Sequence, residues 1–179
     1  MDYLKALHEN PDLAAAFDSL FNFFLLDELS PRDDAKGRCT FSLPGMAFAR
    51  DGSGGEYHLL EDGSIGYYSS EGEAGRLAEN MDDLFSLLVS CICWHDCCDT
   101  KEYVDSKTLE KYGQRQRSCN LKDMDSLQQV SDSFGIPIGE PLAPVLERFR
   151  KATQREPVYQ CIFHEDDGSL TESYGLMFE

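Results

Sequence analysis

An Asp-Gly pair at residues 62 and 63 separates two short apolar runs, and no other pattern limits the fold as strongly. The run 56–60 alternates between apolar and polar residues, and the run 65–68 follows the turn. Glycine accepts the positive φ that a tight turn needs, so the pattern predicts an antiparallel β-hairpin. Upstream, residues 39–49 alternate in part and are interrupted at Pro44-Gly45, which predicts an extended segment leading into the hairpin.

A helix is predicted after the hairpin, beyond a loop expected at residues 69–75. Asn80 suits the N-cap because its side chain can accept a hydrogen bond from a backbone N–H of the first turn. Asp82 and Asp83 complement the positive end of the helix dipole. From Leu84 the apolar residues recur at helical spacing, so the helix is expected to run to about Cys98.

Apolar periodicity predicts further helices before and after this region. A second hairpin, around the acidic turn 166–169, is predicted near the end of the chain. Strands in the middle and at the end, with helices around them, indicate an α+β fold with a mostly antiparallel central sheet flanked by helices. The remaining predicted segments are helices at 12–29, 108–114, 121–134 and 141–154, an exposed basic patch at 114–118, and strands at 158–163 and 170–178.

Length and charge limit the classes of protein that the chain can belong to. A chain of 179 residues suits one domain, residues 1–179, that buries a core without disulfides. The 16 basic and 33 acidic residues give a net charge of −17, so nucleic acid is not expected as a partner and basic proteins are. The sequence contains neither an apolar run of membrane-spanning length nor a signal-peptide pattern, which predicts a cytoplasmic protein without a membrane partner.

The cysteines and histidines offer no strong catalytic or metal-binding pattern. Structural zinc sites use paired cysteines separated by a loop, whereas Cys91, Cys93, Cys97 and Cys98 form one dense run. Buried, reduced thiols are the main interpretation, with zinc as an alternative, and the role of the run stays open. The four histidines show no paired spacing, and no nucleophile stands beside a base. We therefore predict no cofactor, no metal and no enzymatic activity.

Carboxylates concentrate in the loops around the predicted strands. They form either a solvated acidic rim or a docking surface, where complementary charge would speed association with a basic protein. The glycine-rich turn 51–55 lacks the lysine and the following helix of a phosphate-binding loop, so it is not predicted to hold a nucleotide. The candidate partner-binding residues are Asp51, Glu56, Glu61, Asp62, Glu71 and Glu73.

The segment 45–91 resembles the SUKH superfamily, a group that includes a yeast cell-wall-synthesis regulator and many bacterial immunity proteins. The recognisable core covers about residues 45–98, and residues 99–179, read as helices plus a C-terminal hairpin, follow the group by element order alone. The matching residues are Phe48, Ala49, Asp51, Gly52, Gly54, Gly55, Glu56, Tyr57, Leu59, Leu60, Asp62, Gly63, Gly66, Tyr67, Glu71, Gly72, Glu73, Ala74 and Gly75.

The resemblance implies a non-catalytic α+β module that binds other proteins. It further implies a bacterial immunity protein that neutralises a cognate toxin. From the net charge of −17 and the placement of the acidic loops, we expect the loops 51–56 and 69–73 to occlude a basic surface of the toxin, such as the cleft of a nuclease. The alternative is a regulatory or scaffolding subunit without a toxin partner. A cluster of buried carboxylates with shifted pKa values in one cleft would instead favour an enzyme.

Overall fold

The computed structural model describes residues 2–31, 39–70, 73–98, 101–139, 141–165, 167, 169–173 and 175–178. Its helices are α1 (Tyr3–Glu9), α2 (Pro11–Phe21), α3 (Met81–Cys91), α4 (Ser106–Asn120), α5 (Met124–Phe134) and α6 (Leu142–Thr153), with a 3-10 turn at Trp94–Cys97. Its strands are β1 (Phe24–Ser30), β2 (Cys39–Phe41), β3 (Gly45–Arg50), β4 (Glu56–Leu60), β5 (Ile65–Tyr68), β6 (Glu73–Ala78), β7 (Cys161–His164), β8 (Leu170–Ser173) and β9 (Gly175–Leu176).

The main sheet has the strand order β1-β3-β4-β5-β6-β9, and all pairs are antiparallel except β6 with β9. The predicted hairpin is confirmed, with Glu56 opposite Tyr68 and Leu59 opposite Ile65. Gly63 has a φ of +83°, the conformation for which glycine is needed in this turn.

Helices cover one face of the main sheet and form the larger core with it. Phe85 of α3 lies among aromatic rings from other elements, 5.0 Å from Phe17 and 5.1 Å from Phe134 between ring centroids. From the sheet, Tyr57 and Tyr67 join the same cluster of buried side chains. A single α+β domain with a mostly antiparallel sheet flanked by helices is therefore confirmed.

A second, three-stranded sheet in the order β2-β7-β8 was not predicted. Neighbouring residues on a strand point to opposite faces, and Tyr67 belongs to the larger core while Tyr68 packs in a separate cluster with Cys39 and Cys161. The small sheet thus covers the face of the main sheet that the helices leave open. Residues 39–49, predicted as extended, supply β2 and β3.

Several predicted boundaries were wrong. The helix expected at 12–29 ends at Phe21, because Asn22 adopts a left-handed conformation with φ of +53° and the chain then continues as β1. The helix expected to reach Cys98 ends at Cys91. β6 lies partly where the loop 69–75 was predicted, and α1 was not predicted at all.

Other local predictions hold where a cap residue defines the helix. Asn80 accepts a hydrogen bond from the backbone of Asp83 at 2.9 Å, and Gly135 ends α5 with φ of +65°. The segment 114–118 is helical, and Arg117 within it is buried rather than part of an exposed patch. Two positions of the predicted turn 166–169 lie outside the described residues.

Candidate functional site

Asp51, a predicted partner-binding residue, is buried and builds the turn that joins β3 to β4. Its Oδ1 atom accepts hydrogen bonds from the backbone N–H of Ser53 at 2.8 Å and of Gly55 at 2.9 Å. Its Oδ2 atom accepts a hydrogen bond from the Tyr67 hydroxyl at 2.5 Å. Only 8% of Asp51 is exposed, so this carboxylate does not form part of a docking surface.

Glu56 is also buried, with 1% of its surface exposed. Its Oε1 atom accepts hydrogen bonds from the Arg50 guanidinium at 2.9 and 2.7 Å, and its Oε2 atom lies 3.1 Å from His58 Nε2. His58 Nδ1 in turn bonds to the hydroxyl of Tyr159. Burying a carboxylate requires partners of this kind, so Glu56 joins the two sheets instead of facing a partner.

The other predicted residues divide between the two ends of β4. At the turn, Glu61 is exposed, while Asp62 pairs with Arg155 and lies 3.6 Å from Arg76. Partial burial opposes ionisation of Asp62, but hydrogen bonds from Ser64 and these two guanidinium groups lower its pKa overall.

The exposed carboxylate of Glu73 lies at the opposite end of β4, beside the turn 51–55. A Cβ atom placed on Gly54 in that turn would lie 3.8 Å from Ser70, so the loops 51–55 and 69–73 are neighbours, as the docking hypothesis requires. Glu71 lies outside the described residues. The five predicted residues that the structure describes therefore do not form one surface.

The cysteines of this run are reduced, and they are not activated as nucleophiles. Contact with Cys97, together with burial, raises the pKa of Cys91 well above its usual value. Burial and the neighbouring Asp96 raise the pKa of Cys93 to about 11. Both thiols stay protonated near neutral pH and are poor nucleophiles. Within the described part of the chain, no three His, Cys, Asp or Glu side chains are grouped so that they could hold a metal ion.

A cleft that sequence reasoning missed opens where the end of α2, the segment after α3 and the link between α4 and α5 meet. Its volume is about 330 Å³, near the lower limit for ligand pockets. Its lining combines apolar side chains with amide, imidazole and charged groups. The lining residues are Ser19, Leu20, Phe21, Asn22, Ile92, Cys93, His95, Asn120, Lys122 and Asp123.

Ile92, which lines this cleft, has an unusual backbone conformation. Its φ and ψ are +61° and −57°, and the N–H of Cys93 bonds to the carbonyl of Cys91 at 2.7 Å. These features define a γ-turn with positive φ, a strained conformation that is especially costly for a β-branched residue. In the described part of the chain, Ile92 and Asn22 are the residues other than glycine with positive φ, and both line this cleft. Strain of this kind concentrates at functional sites.

His95 presents an unprotonated nitrogen in the same cleft. The Tyr67 hydroxyl donates its proton to Asp51, so it can only accept from His95 Nε2, which lies 3.2 Å away. This arrangement assigns the ring proton to Nε2 and leaves a lone pair on Nδ1. Loss of hydration lowers the pKa of His95. The negative charges of Asp51 and Asp96 raise it by a smaller amount, so the ring is neutral near pH 7.

The ring of Trp94 packs against one face of the His95 ring and holds it in place. The two rings stack with centroids 3.6 Å apart, and Trp94 also packs edge-on against Tyr67 at 5.0 Å. The cleft escaped sequence analysis because its residues come from three distant segments. The γ-turn at Ile92 follows the end of α3, but apolar residues continue at helical spacing past it. The sequence pattern therefore did not reveal the turn.

Fold and site together define an α+β domain that has a histidine-containing cleft and an acidic surface. No family model, curated protein or solved structure matches this chain. None of the helices in the described residues has both the length and the apolar character needed to cross a bilayer.

Proposed function

We propose that this chain is a non-catalytic, protein-binding module that recognises a basic protein through its acidic surface. The resemblance to the SUKH superfamily makes that partner a toxin, such as a nuclease, and makes the chain an immunity protein that covers the basic surface of the toxin. The thiol of Cys93, which lines the same cleft as His95, is protonated near neutral pH and does not favour an enzyme.

The observation that carries this proposal is the large excess of unpaired surface carboxylate. The net charge is −17, and the described arginines are largely committed to internal partners. Exposed carboxylates that have no ion pair with another described residue remain along β1 and in the hairpin loops, at Asp27, Glu28, Glu61 and Glu73. The committed arginines are Arg50, Arg76, Arg148, Arg150 and Arg155.

Such a surface acts by electrostatic steering. Complementary charge raises the rate at which a basic partner finds the correct face, and the effect weakens as salt screens the field. The neighbouring loops 51–55 and 69–73 then provide the contact, with Glu73 as the exposed carboxylate that the structure describes there. Occlusion of the partner's active surface needs no chemistry from this chain.

The test is capture from the native lysate with the full chain as bait, followed by elution in a salt gradient. One basic protein released at moderate salt, whose toxic or nuclease activity the chain inhibits, supports the proposal. Association with that protein should slow for Glu73→Lys and much less for Glu165→Lys, a matched change at an exposed position elsewhere. An assembly of several proteins would favour the scaffolding alternative, and no partner at any salt concentration refutes protein binding.

A further inference from the structure

We propose that the cleft beside His95 receives an arginine side chain of the protein partner. This inference rests on the proposed function for the source of the arginine, while the chemistry of the cleft stands on its own geometry. The cleft combines free hydrogen-bond acceptors, nearby negative charges and apolar lining residues. These are the three properties that a guanidinium group on an aliphatic chain requires.

The acceptors are His95 Nδ1 and Asn120 Oδ1. Tyr67 occupies His95 Nε2, which leaves Nδ1 as the free nitrogen of a ring that lines the cleft. Asn120 uses its Nδ2 atom, which donates to the backbone carbonyl of Gln116 at 2.9 Å and contacts Asp96 at 3.4 Å, and no bond to its Oδ1 occurs within the described residues. A ligand must therefore bring donors, and guanidinium presents five N–H groups in a planar fork.

The charges around the cleft favour a cation over an anion. Asp51 and Asp96 both act on His95, and Asp123 lines the cleft. Hydrogen bonds from Ser126 lower the pKa of Asp123, which keeps this carboxylate ionised. Among the described lining residues, Asp123 and the exposed Lys122 carry opposite charges, and Asp51 and Asp96 near His95 add further negative charge.

Apolar lining residues suit the aliphatic part of an arginine. Leu20, Phe21 and Ile92 line the cleft, and their apolar surface can contact the methylene groups of the arginine side chain. Arginines seated in preformed pockets are frequent energetic anchors of protein interfaces.

The experiment titrates the full chain with N-acetyl-arginine amide and follows backbone and imidazole resonances by NMR. N-acetyl-norleucine amide, which keeps an aliphatic chain and lacks the guanidinium, is the matched control. We expect the arginine probe to shift the resonances of His95, Asn120 and Ile92 and to lower the pKa of His95, because a nearby cation opposes ring protonation. Unchanged His95 resonances, or equal shifts with the norleucine probe, overturn the inference.

A variant separates the cleft from the general acidity of the surface. His95→Phe keeps a ring against Trp94 but removes the acceptor, so the arginine probe should bind about tenfold more weakly. His8→Gln, in the exposed last turn of α1, should bind as the unaltered chain does. Equal binding by His95→Phe overturns the inference. If the probe binds the cleft and the lysate yields no partner, the cation site stands and the proposed function fails.

Discussion

Tyr159 and Tyr57 are two fully buried tyrosines whose hydroxyl groups have opposite environments. The Tyr159 hydroxyl bonds to His58 Nδ1, in the network that joins the two sheets. The Tyr57 hydroxyl has no partner at normal hydrogen-bond geometry in the described part of the chain and interacts only weakly with the indole N–H of Trp94. Tyr159→Phe and Tyr57→Phe therefore remove the same atom from equally buried sites. The difference between the two changes in the free energy of unfolding measures the contribution of the hydrogen bond to His58.

The two substitutions should change the free energy of unfolding by different amounts. Tyr159→Phe takes a partner from a buried imidazole, and leaving such a group unsatisfied costs about 1–3 kcal/mol. For a domain of this size each kcal/mol lowers the melting temperature by about 2–4 °C. Tyr57→Phe removes a hydroxyl whose dehydration on folding is offset only by the weak interaction with Trp94, so the stability of this variant should be unchanged or higher by up to about 1 kcal/mol.

Urea unfolding, followed by circular dichroism and by the fluorescence of the single tryptophan, Trp94, measures both effects. Parallel slopes of the two variants against urea would show that the midpoints report stability alone. A loss in Tyr57→Phe as large as that in Tyr159→Phe would refute the reasoning, because hydrogen bonding to His58 would then not distinguish the two sites.

Three further predictions concern caps, packing and pH. Asn80→Ala removes the side-chain bond to Asp83 and should cost about 1 kcal/mol in urea unfolding. Gly66→Ala places a Cβ atom 2.9 Å from the Tyr159 ring and should cost about 1–3 kcal/mol, measured as a lower melting temperature. Because the pKa of Asp62 is lowered in the folded state, its contribution is present above the unfolded pKa of about 3.9 and is lost as pH falls through the folded value. Asp62→Asn should therefore be less stable than the unaltered chain at neutral pH, and the difference should narrow in acid.

Local signals in the sequence predicted the parts of the fold that local chemistry determines. The Asp62-Gly63 turn, the Asn80 cap and the Gly135 stop each act within a few residues, and the structure has them where they were predicted. The segment 24–29 was predicted as the end of a helix because its apolar spacing continues that of α2. It is a strand because it pairs with β3, more than fifteen residues further along the chain, and periodicity carries no information about that pairing.

The candidate site was predicted less well, for a related physical reason. Acidic residues in glycine-rich turns were read as surface charge, yet Asp51 uses its carboxylate to hold the turn and Glu56 is drawn inward by Arg50 and His58. Short acidic side chains beside glycine often bond to nearby backbone N–H groups, so turn chemistry competes with exposure. Sequence alone does not reveal which of the two wins, since the answer depends on partners from other strands.

The same turn links the region that resembles the SUKH superfamily to the cleft. Asp51 and Tyr67 both belong to the matching residues, and their hydrogen bond places the proton of His95 on Nε2. The histidine itself follows the hairpin and helix, in a segment bent by the γ-turn at Ile92. Asp51, which was predicted to belong to the docking surface but is buried, thus affects the cleft indirectly. It orients the Tyr67 hydroxyl, and this hydroxyl fixes the tautomer of His95 that leaves Nδ1 as a free acceptor. In the proposed recognition of an arginine, the buried Asp51 would therefore act only indirectly, through Tyr67 and His95.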